Sequence, residues 1–334
     1  QELIFENLFD SSLSSEIACY RIPSIITSTN GTLIAAIDER NNSCGDLKWN
    51  KNINIVLRKS YDDGKTWTKI ERIIDYPIGE SASDPSMIVD RQTKDIFLFY
   101  NYMNLDKAKD IYRFMVIKSN DNGESWSSPK DITDQITKKE WKNDFMFITS
   151  GRGIQSEDGI LLHCLVNLNK GTHVFGSNDH GKNWFLIDYP LKPGDESKII
   201  ELSNGDWLVN SRVNSNKFRY SHISKDKGKS WLSFENKDLS DPACNASIIN
   251  YNISSEKLLL FSNAFDSNER KNLSLSISYD QGMSWKNNKT IYKGSSAYSS
   301  MTKLKNGDVG LFFEKDNYTK NVFVRVPKKW VLDK

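Results

Sequence analysis

The sequence predicts an all-β fold: a six-bladed β-propeller of four-stranded antiparallel blades, forming a single domain over residues 1–334. Three observations support this prediction. An eight-residue motif recurs five times, hairpin turns of a second kind alternate with it, and no long amphipathic helix or linker interrupts the series. A fixed period of this size indicates a repeat architecture, in which each repeat is one supersecondary unit packed against its neighbours.

The recurring motif has the pattern S-x-D-x-G-x-[S/T/N]-W, and we call each copy an Asp box. The copies begin at Ser60, Ser119, Ser177, Ser224 and Ser278. The Asp side chain can bond N–H groups of its own turn, and the Gly allows a positive φ without steric cost. The Trp enters the following strand as a large apolar anchor. Each box is therefore predicted to be a hairpin turn with a packing role and no part in the chemistry.

The turns of the second kind, which we call first hairpins, are expected near residues 30, 92, 158, 204, 255 and 306. Four of them carry Asn-Gly or Asp-Gly, the pairs that two-residue hairpins prefer. A first hairpin and the box after it make one four-stranded unit of about 55 residues. The sixth unit has no box, and we expect residues 1–10 to supply its missing strand and close the ring.

Composition argues against several classes of function. Lys and Arg number 45 against 43 Asp and Glu, a net charge of +2, which does not favour nucleic acid or an anionic membrane as partner. No apolar run approaches the ~18 residues of a transmembrane helix. The histidines and cysteines show no metal-ligand spacing, so we expect neither a metal nor a cofactor.

The cysteines and the first residue bear on location. Two alternatives stay open for the four cysteines: buried free thiols throughout, or a bridge between Cys19 and Cys44. Because the chain begins at Gln1 and not at Met, we expect that a signal peptide has been removed. The expected location is therefore secreted, periplasmic or cell-surface, and we expect a monomer.

The alternation of turns predicts which end of each strand faces where. If first hairpins and boxes lie at the bottom of every blade, residues just before its first strand or just after its second lie at the top. Binding residues commonly lie on loops that a rigid scaffold positions. The polar residues that meet this condition are Arg21, Asp46, Asp84, Arg152, Glu196, Arg212, Arg270, Tyr298 and Glu314.

This set contains arginines and carboxylates in a combination that suggests a site for an anion. Guanidinium groups bind carboxylates bidentately and stay charged at any working pH. Asp46 and Glu196 are candidates for the acid and base of a glycosidase. Asp38, Glu39 and Glu201 are alternatives that spacing alone does not exclude.

Over essentially its whole length, the chain resembles the exo-α-sialidases (neuraminidases) of the bacterial and animal type. Asp boxes also occur in propellers that are not enzymes, so they support the fold more than the activity. The other motifs are more specific. They are Tyr20-Arg21-Ile22-Pro23, Asp84-Pro85-Ser86, Gly153-Ile154-Gln155, Glu196 to Leu202, Asn210-Ser211-Arg212, Arg270-Lys271-Asn272-Leu273 and Tyr298.

The resemblance implies a role for each residue of the predicted site. Arg21, Arg212 and Arg270 are implied to clamp the carboxylate of a terminal sialic acid, and Glu314 to orient Arg21. The implied partners are therefore sialylated glycans or glycoconjugates.

The resemblance also implies a mechanism. Tyr298 is the implied nucleophile, Glu196 its general base and Asp46 the acid/base, while Arg40 and Asp84 are implied to contact the substrate. A neutral tyrosine avoids the repulsion that a carboxylate nucleophile would meet at an anomeric carbon bearing a carboxylate. The implied outcome is retention through a covalent glycosyl-tyrosine, the tyrosine exception among glycosidases.

Two departures from the family pattern and three alternative functions stay open. Asp195 precedes Glu196 where Asn is frequent, and Ser150 to Gly153 replace a Pro-Gly pair. The second departure leaves Arg152 either an aglycone contact or a surface residue. The alternatives are a trans-sialidase or intramolecular trans-sialidase, a hydrolase of a related keto-sugar acid, and an inactive sialoglycan-binding propeller.

Overall fold

A computed structural model describes residues 2–253 and 255–333 and confirms the all-β propeller architecture. Gln1, in the expected ring-closing segment, and Ser254, in the fifth first hairpin, lie outside the described residues. Two α-helices, α1 (Thr133–Ile136) and α2 (Lys328–Leu332), occur in that range, each little more than one turn. No helix of the described residues is long and apolar enough to cross a membrane.

The first four blades follow one another along the chain, each with its strands in sequential order. The strands of the first blade are β2 (Ile17–Thr27), β3 (Leu33–Asn41), β4 (Ile53–Ser60) and β5 (Glu71–Ile74). Those of the second are β6 (Glu80–Val89), β7 (Ile96–Asn104), β8 (Arg113–Ser119) and β9 (Lys130–Asp131). Those of the third are β10 (Met146–Ile148), β12 (Ile154–Gln155), β13 (Leu161–Asn167), β14 (Gly171–Ser177) and β15 (Phe185–Leu191). Those of the fourth are β16 (Ser197–Glu201), β17 (Trp207–Ser211), β18 (Phe218–Ser224) and β19 (Leu232–Ser240).

The fifth and sixth strand groups share one seven-stranded sheet. Its strands are β20 (Ser247–Asn250), β21 (Leu259–Ala264), β22 (Lys271–Ser278), β23 (Lys286–Lys303), β24 (Val309–Lys315), β25 (Lys320–Val326) and β1 (Phe5–Asp10). The first part of β23 pairs with β22 and its last part, from Ser296, pairs with β24. The described residues therefore form five hydrogen-bonded sheets where six blades were predicted, because β23 pairs on both sides and joins the fifth and sixth groups of strands into one sheet.

One short strand departs from the antiparallel prediction. The innermost segment of the third blade is broken: β10 and β12 both pair with β13, while β11 (Gly151–Arg152) pairs in parallel with β6 of the second blade. Gly151 has a φ of 100°, a conformation that suits glycine. This break joins two neighbouring blades near the channel axis.

The Asp boxes form the predicted turns. In the first, Ser60 Oγ accepts a bond from Gly64 N (2.9 Å), and Asp62 accepts from Thr66 N (2.8 Å) and Oγ1 (2.6 Å). Bonds from Thr66 lower the pKa of Asp62 to about 2, so this carboxylate is ionised near neutral pH. The other four boxes repeat the network, with Asn183 in the third supplying an amide in place of the hydroxyl.

The ring closes as predicted, with a strand from the beginning of the chain. Within the expected residues 1–10, β1 covers Phe5–Asp10 and pairs antiparallel with β25. Phe9 is buried and its ring packs on Tyr20 (centroids 5.3 Å apart) and Phe312 (5.9 Å). Strands such as β3 are buried along nearly their whole length because neighbouring blades cover both faces.

Candidate active site

The three arginines of the predicted clamp converge on one tyrosine ring. The Cζ atoms of Arg21 and Arg270 each lie 5.5 Å from the centroid of Tyr298. Arg212 Nη1 donates to the Tyr298 hydroxyl at 3.2 Å. These residues come from β2, from the loop before β22 and from the loop after β17, so the propeller assembles a site from distant parts of the sequence.

Tyr298 lies in β23 and is 8% exposed. Burial, and then the charge of Glu196, raises the pKa of its phenol well above the usual value, although Arg212 and Arg270 oppose the shift. The hydroxyl therefore carries its proton at neutral pH. A nucleophilic role for Tyr298 needs a base that removes this proton as the bond forms.

Glu196 is the carboxylate that shares a hydrogen-bond donor with the Tyr298 hydroxyl. It is 6% exposed, and its Oε2 accepts from Arg212 Nη1 at 2.7 Å, the same nitrogen that donates to the Tyr298 hydroxyl. Both oxygens thus lie within hydrogen-bond distance of one atom. Asp195, the residue that departs from the family pattern, accepts from Glu196 N at 2.7 Å and from Asn214 Nδ2. Asn214 in turn accepts from Arg212 Nε (2.7 Å), so Asp195 helps to fix Arg212.

Glu314 is paired with Arg21, the residue that the resemblance implies it orients. Its Oε1 accepts from Arg21 Nε (2.6 Å) and from Ile22 N (2.9 Å), while its Oε2 accepts from Tyr298 N (3.1 Å). Ile22 has a φ of 70°, which is rare for a β-branched residue. One buried carboxylate therefore fixes the clamp arginine, a strained backbone segment and the tyrosine together.

Asp46 lies at the edge of the site with its side chain 64% exposed. Its Oδ1 accepts from Arg40 Nη1 at 2.7 Å. Arg40 itself is fully buried, and its remaining donors bind Asp38 and the Cys44 carbonyl. The structure places Arg40 as a support beneath Asp46, and a substrate contact by Arg40 stays a prediction.

The loop that carries Asp46 is fastened to the first blade. Cys19 in β2 and Cys44 form a disulfide with Cα atoms 5.7 Å apart, so of the two alternatives the bridge is the one found. Cys164 and Cys244 are buried free thiols. The disulfide and the Arg40 contacts hold an exposed carboxylate at a defined place on the rim.

Asp84 lies beside the buried Asp38, next to Arg40. Asp38 accepts from the Asp84 backbone N–H (2.9 Å), and Asp84 Oδ2 accepts from Asn101 Nδ2 (2.9 Å). Burial, with the neighbouring Asp38 charge, raises the pKa of Asp84. Asp84 has a φ of 63°, which indicates a backbone held by its surroundings. The contact of Asp84 with substrate stays a prediction.

Tyr318 is a member of the site that sequence reasoning missed. Its ring centroid lies 4.1 Å from Arg21 Cζ, and its hydroxyl accepts from Arg270 Nη1 at 3.2 Å. It lies in the β24–β25 turn, where Asp316, Asn317 and Tyr318 have φ values of 51°, 53° and 67°. The sequence contains a signal for this turn. Asp316 and Asn317 follow the predicted second strand of the sixth unit, and both residue types tolerate a left-handed backbone. Because second strands end at the top, the turn is expected at the top as well.

Arg152 is not brought to this rim. Its Nη1 donates to the Met301 carbonyl at 2.8 Å, and the side chain lines a cavity together with Thr302, Lys303 and Leu202. Arg152 does not lie at the predicted top of the ring, because β11 (Gly151–Arg152) pairs with β6 inside the channel. Of the competing carboxylates, Asp38 and Glu39 support arginines, and Glu201 accepts from the Glu157 N–H at the other end of the strand.

Comparisons with known proteins agree with this site. The family model of the BNR repeat-like domain matches residues 31–311. A sialidase of Bacteroides fragilis (strain YCH46) is 29% identical over 330 residues, 89% of this chain and 60% of that protein. A sialidase of Micromonospora viridifaciens is 32% identical over 327 residues, 88% of this chain and 50% of that protein.

Among solved structures, a Hadza microbial sialidase aligns with a TM-score of 0.88 and 25% identity, over 97% of this chain and 69% of that one. The chain spans between half and 60% of the length of the two curated relatives named above. The repeats, the fold and the relatives together give one assignment. The chain carries a BNR repeat-like domain and belongs to the exo-α-sialidase family.

Proposed function

We propose that this domain is a retaining exo-α-sialidase that hydrolyses terminal sialic acids from glycoconjugates through a covalent glycosyl-tyrosine. The observation that carries the proposal is the Tyr298 phenol, enclosed by three guanidinium groups and sharing Arg212 Nη1 with Glu196. This arrangement combines an anion clamp, a protonated nucleophile and a base in one place.

Binding begins with the substrate carboxylate, and the arginines differ in the charge that they offer to it. Arg21 is paired with Glu314 and Arg212 with Glu196. Within the described residues, Arg270 has no carboxylate within 4.0 Å; it donates to the Tyr318 hydroxyl and the Ala243 carbonyl. Arg270 therefore provides the unneutralised positive charge of the clamp, and the other two add oriented donors.

In the first step, Tyr298 Oη attacks the anomeric carbon while Glu196 takes its proton, and Asp46 protonates the departing glycosidic oxygen. The C–O bond to the aglycone breaks as the bond to Tyr298 forms. The positive charge that develops on the sugar lies beside the carboxylate held by the clamp. In the second step, Asp46 removes a proton from water, which displaces Tyr298, and Glu196 returns the proton.

Proton NMR of the chain with 3′-sialyllactose tests the proposal. Hydrolysis with retention first releases the α-anomer of sialic acid, which then mutarotates to the β-anomer. First release of the β-anomer would contradict the tyrosine intermediate. An anhydro sugar or a transferred sialoside would reassign the enzyme as a trans-sialidase on the same residues. No reaction by the folded protein would favour a related keto-sugar acid or a binding role.

A location outside the reducing cytosol is part of the proposal. Disulfides form and persist in oxidising compartments, and the Cys19–Cys44 bridge is consistent with one. Mass spectrometry of the protein recovered from its source, with and without reductant before alkylation, tests this. Two alkylated cysteines before reduction and four after it are expected.

A further inference from the structure

We propose that the lower half of the central channel is a second ligand site, for a small anion of the phosphate- or sulfate-ester class with two or more charges. The site is a cavity of about 850 Å³ on the side of the first hairpins. Its walls come from the innermost strands of all the blades, and none of the residues of the proposed active site lines it. This inference does not depend on the proposed function.

The cavity lies far down the channel from the active site. In β23, Lys303 follows Tyr298 by five residues, roughly 16 Å along an extended strand. Between the two levels, hydrogen bonds join neighbouring inner segments: Ser24 Oγ to the Gly151 carbonyl (2.5 Å) and Lys198 Nζ to Asn245 Oδ1 (2.6 Å). A ligand in the cavity would therefore not touch the clamp.

The charge of the lining is strongly positive. Two acids, Glu157 and Glu201, are outnumbered by five cations: Arg91, Arg152, Lys257, Lys303 and Lys305. Among the described residues, none of these five cations lies within salt-bridge distance of a carboxylate. Arg91, Lys303 and Lys305 donate instead to backbone carbonyls, which leaves their charges uncompensated. Clustered cations with low-dielectric walls concentrate anions.

Arg152 is the residue that points most directly to a ligand. Among the residues that the structure describes, it has one hydrogen bond, from Nη1 to the Met301 carbonyl, and its buried Nε has no partner. Burial lowers the pKa of Arg152 to about 10, with no compensating carboxylate. Arg152 is half-buried, a buried donor such as its Nε is costly without a partner, and a guanidinium withdrawn from bulk water is normally paired with an acid. An oxyanion against the part of the Arg152 guanidinium that lines the cavity would supply the missing negative charge.

The remaining polar lining suits a phosphate or sulfate group more than a single carboxylate. Thr27, Ser28 and Ser203 bring hydroxyl groups, and Asn250 and Gln281 bring amides, to the walls between the cations. Several cations around one space favour an anion that carries more than one charge. The volume admits a group of the size of a phosphorylated sugar.

Calorimetric titration of the whole chain with inorganic pyrophosphate tests the site. We expect saturable binding of one pyrophosphate, weakened by added salt. Arg152→Met should weaken it about tenfold or more, because charge-assisted hydrogen bonds are lost. Lys237→Gln, which removes an equal charge from the exposed outer strand β19, should leave it unchanged.

Two further variants keep the outcome decisive. Pyrophosphate bound by the clamp would be lost in Arg270→Ala, whereas binding in the lower channel should survive that change. If Arg152→Met does not fold, a Lys303→Gln, Lys305→Gln double variant should lower the affinity severalfold. Three outcomes would overturn the proposal. They are the absence of saturable heat at millimolar pyrophosphate, loss of binding in Arg270→Ala, and affinity that does not change in the cavity variants.

Discussion

At the scale of single residues, the arginines of the clamp differ in how far their charge is already neutralised. Arg21 and Arg212 each bind a carboxylate of the protein, whereas Arg270 binds only neutral oxygens in the part of the chain that the structure describes. A substrate carboxylate therefore gains most from Arg270. The other two arginines owe their positions to their own carboxylates, so changing either one also releases a buried acid.

Arg270→Ala should raise KM for 3′-sialyllactose roughly 10- to 100-fold, since a charge-assisted hydrogen bond contributes about 1.5–3 kcal/mol. The loss acts on substrate binding as well as on the transition state. Initial-rate kinetics measure it, and Arg325→Ala, which removes an arginine paired with Asp308 in the last blade, is the control. An unchanged KM would remove Arg270 from the clamp.

Tyr298→Phe keeps the ring among the arginines but removes the attacking oxygen. We expect turnover to fall roughly a thousandfold or more with little change in substrate affinity, as for other nucleophile deletions. Tyr251→Phe, which removes a buried hydroxyl bonded to the Gly307 carbonyl, controls for loss of a buried phenol. If Tyr298→Phe retains full turnover with normal binding, another group is the nucleophile.

Much of this site could be predicted from polar residues next to strand ends. The alternation of the two kinds of turn indicates at which end of the ring each of these residues lies. The side-chain contacts were not predictable in the same way. Tyr318 reaches Arg21 through three consecutive left-handed residues in a turn without glycine, and no spacing rule expresses that geometry. Arg152 has the right position in sequence, but the local parallel pairing of its segment places it in the channel.

At the scale of elements, the Asp boxes connect blades as well as strands. A side chain at Gly64, in the first box, would lie 2.2 Å from the Phe323 ring in β25 of the last blade. In the same way, a side chain at Gly123 would overlap Ile34, and one at Gly181 would overlap Phe97, each in the preceding blade. The glycine is thus needed both for its positive φ and for the close approach of a neighbouring blade.

Gly64→Ala separates these two needs when it is compared with Gly205→Ala. Both glycines have a similar positive φ, 83° and 85°, but no atom of the described residues lies within 4 Å of a Cβ placed on Gly205. Each substitution should cost about 1–2 kcal/mol for the backbone, and overlap with Phe323 should add about 1–3 kcal/mol at Gly64 only. Urea unfolding measures both, and equal losses would contradict a packing role for the box glycine.

The repeats predicted these elements well because box and hairpin chemistry is local. The continuous strand β23 was not predictable, since no turn signal distinguishes a strand that bends into the next blade from two strands with a short loop. The parallel pairing of β11 is a tertiary contact across the channel and leaves no local pattern.

At the scale of the whole molecule, the ring is closed by one short strand. β1 adds the outer strand of the last blade, and Phe9 carries its apolar contact into the core. The absence of a sixth box predicted this arrangement. Without that box the sixth unit lacks one strand, and the first residues of the chain were not assigned to any other unit.

Phe9→Ala should lower stability by about 3–5 kcal/mol, the usual range for removing a buried aromatic side chain, and lower the Tm. Leu13→Ala is the control, since Leu13 is 84% exposed and should change stability by less than about 0.5 kcal/mol. Calorimetry at one scan rate compares them. Equal melting temperatures would show that β1 contributes little to closure.

The closing strand also makes the order of the blades cyclic. β1 comes from one end of the chain and β25 from near the other, yet they are neighbours in one sheet. The same strand pairings would exist in a circular permutant that joins these two ends and opens the chain elsewhere. The Asn204-Gly205 turn is a suitable place to cut, because it has no packing neighbour around Gly205 and lies away from the active site. Such a permutant would move the entropic cost of closure from the last blade to the fourth, and it would leave in place the strand ends that carry Tyr298 and the three arginines around it.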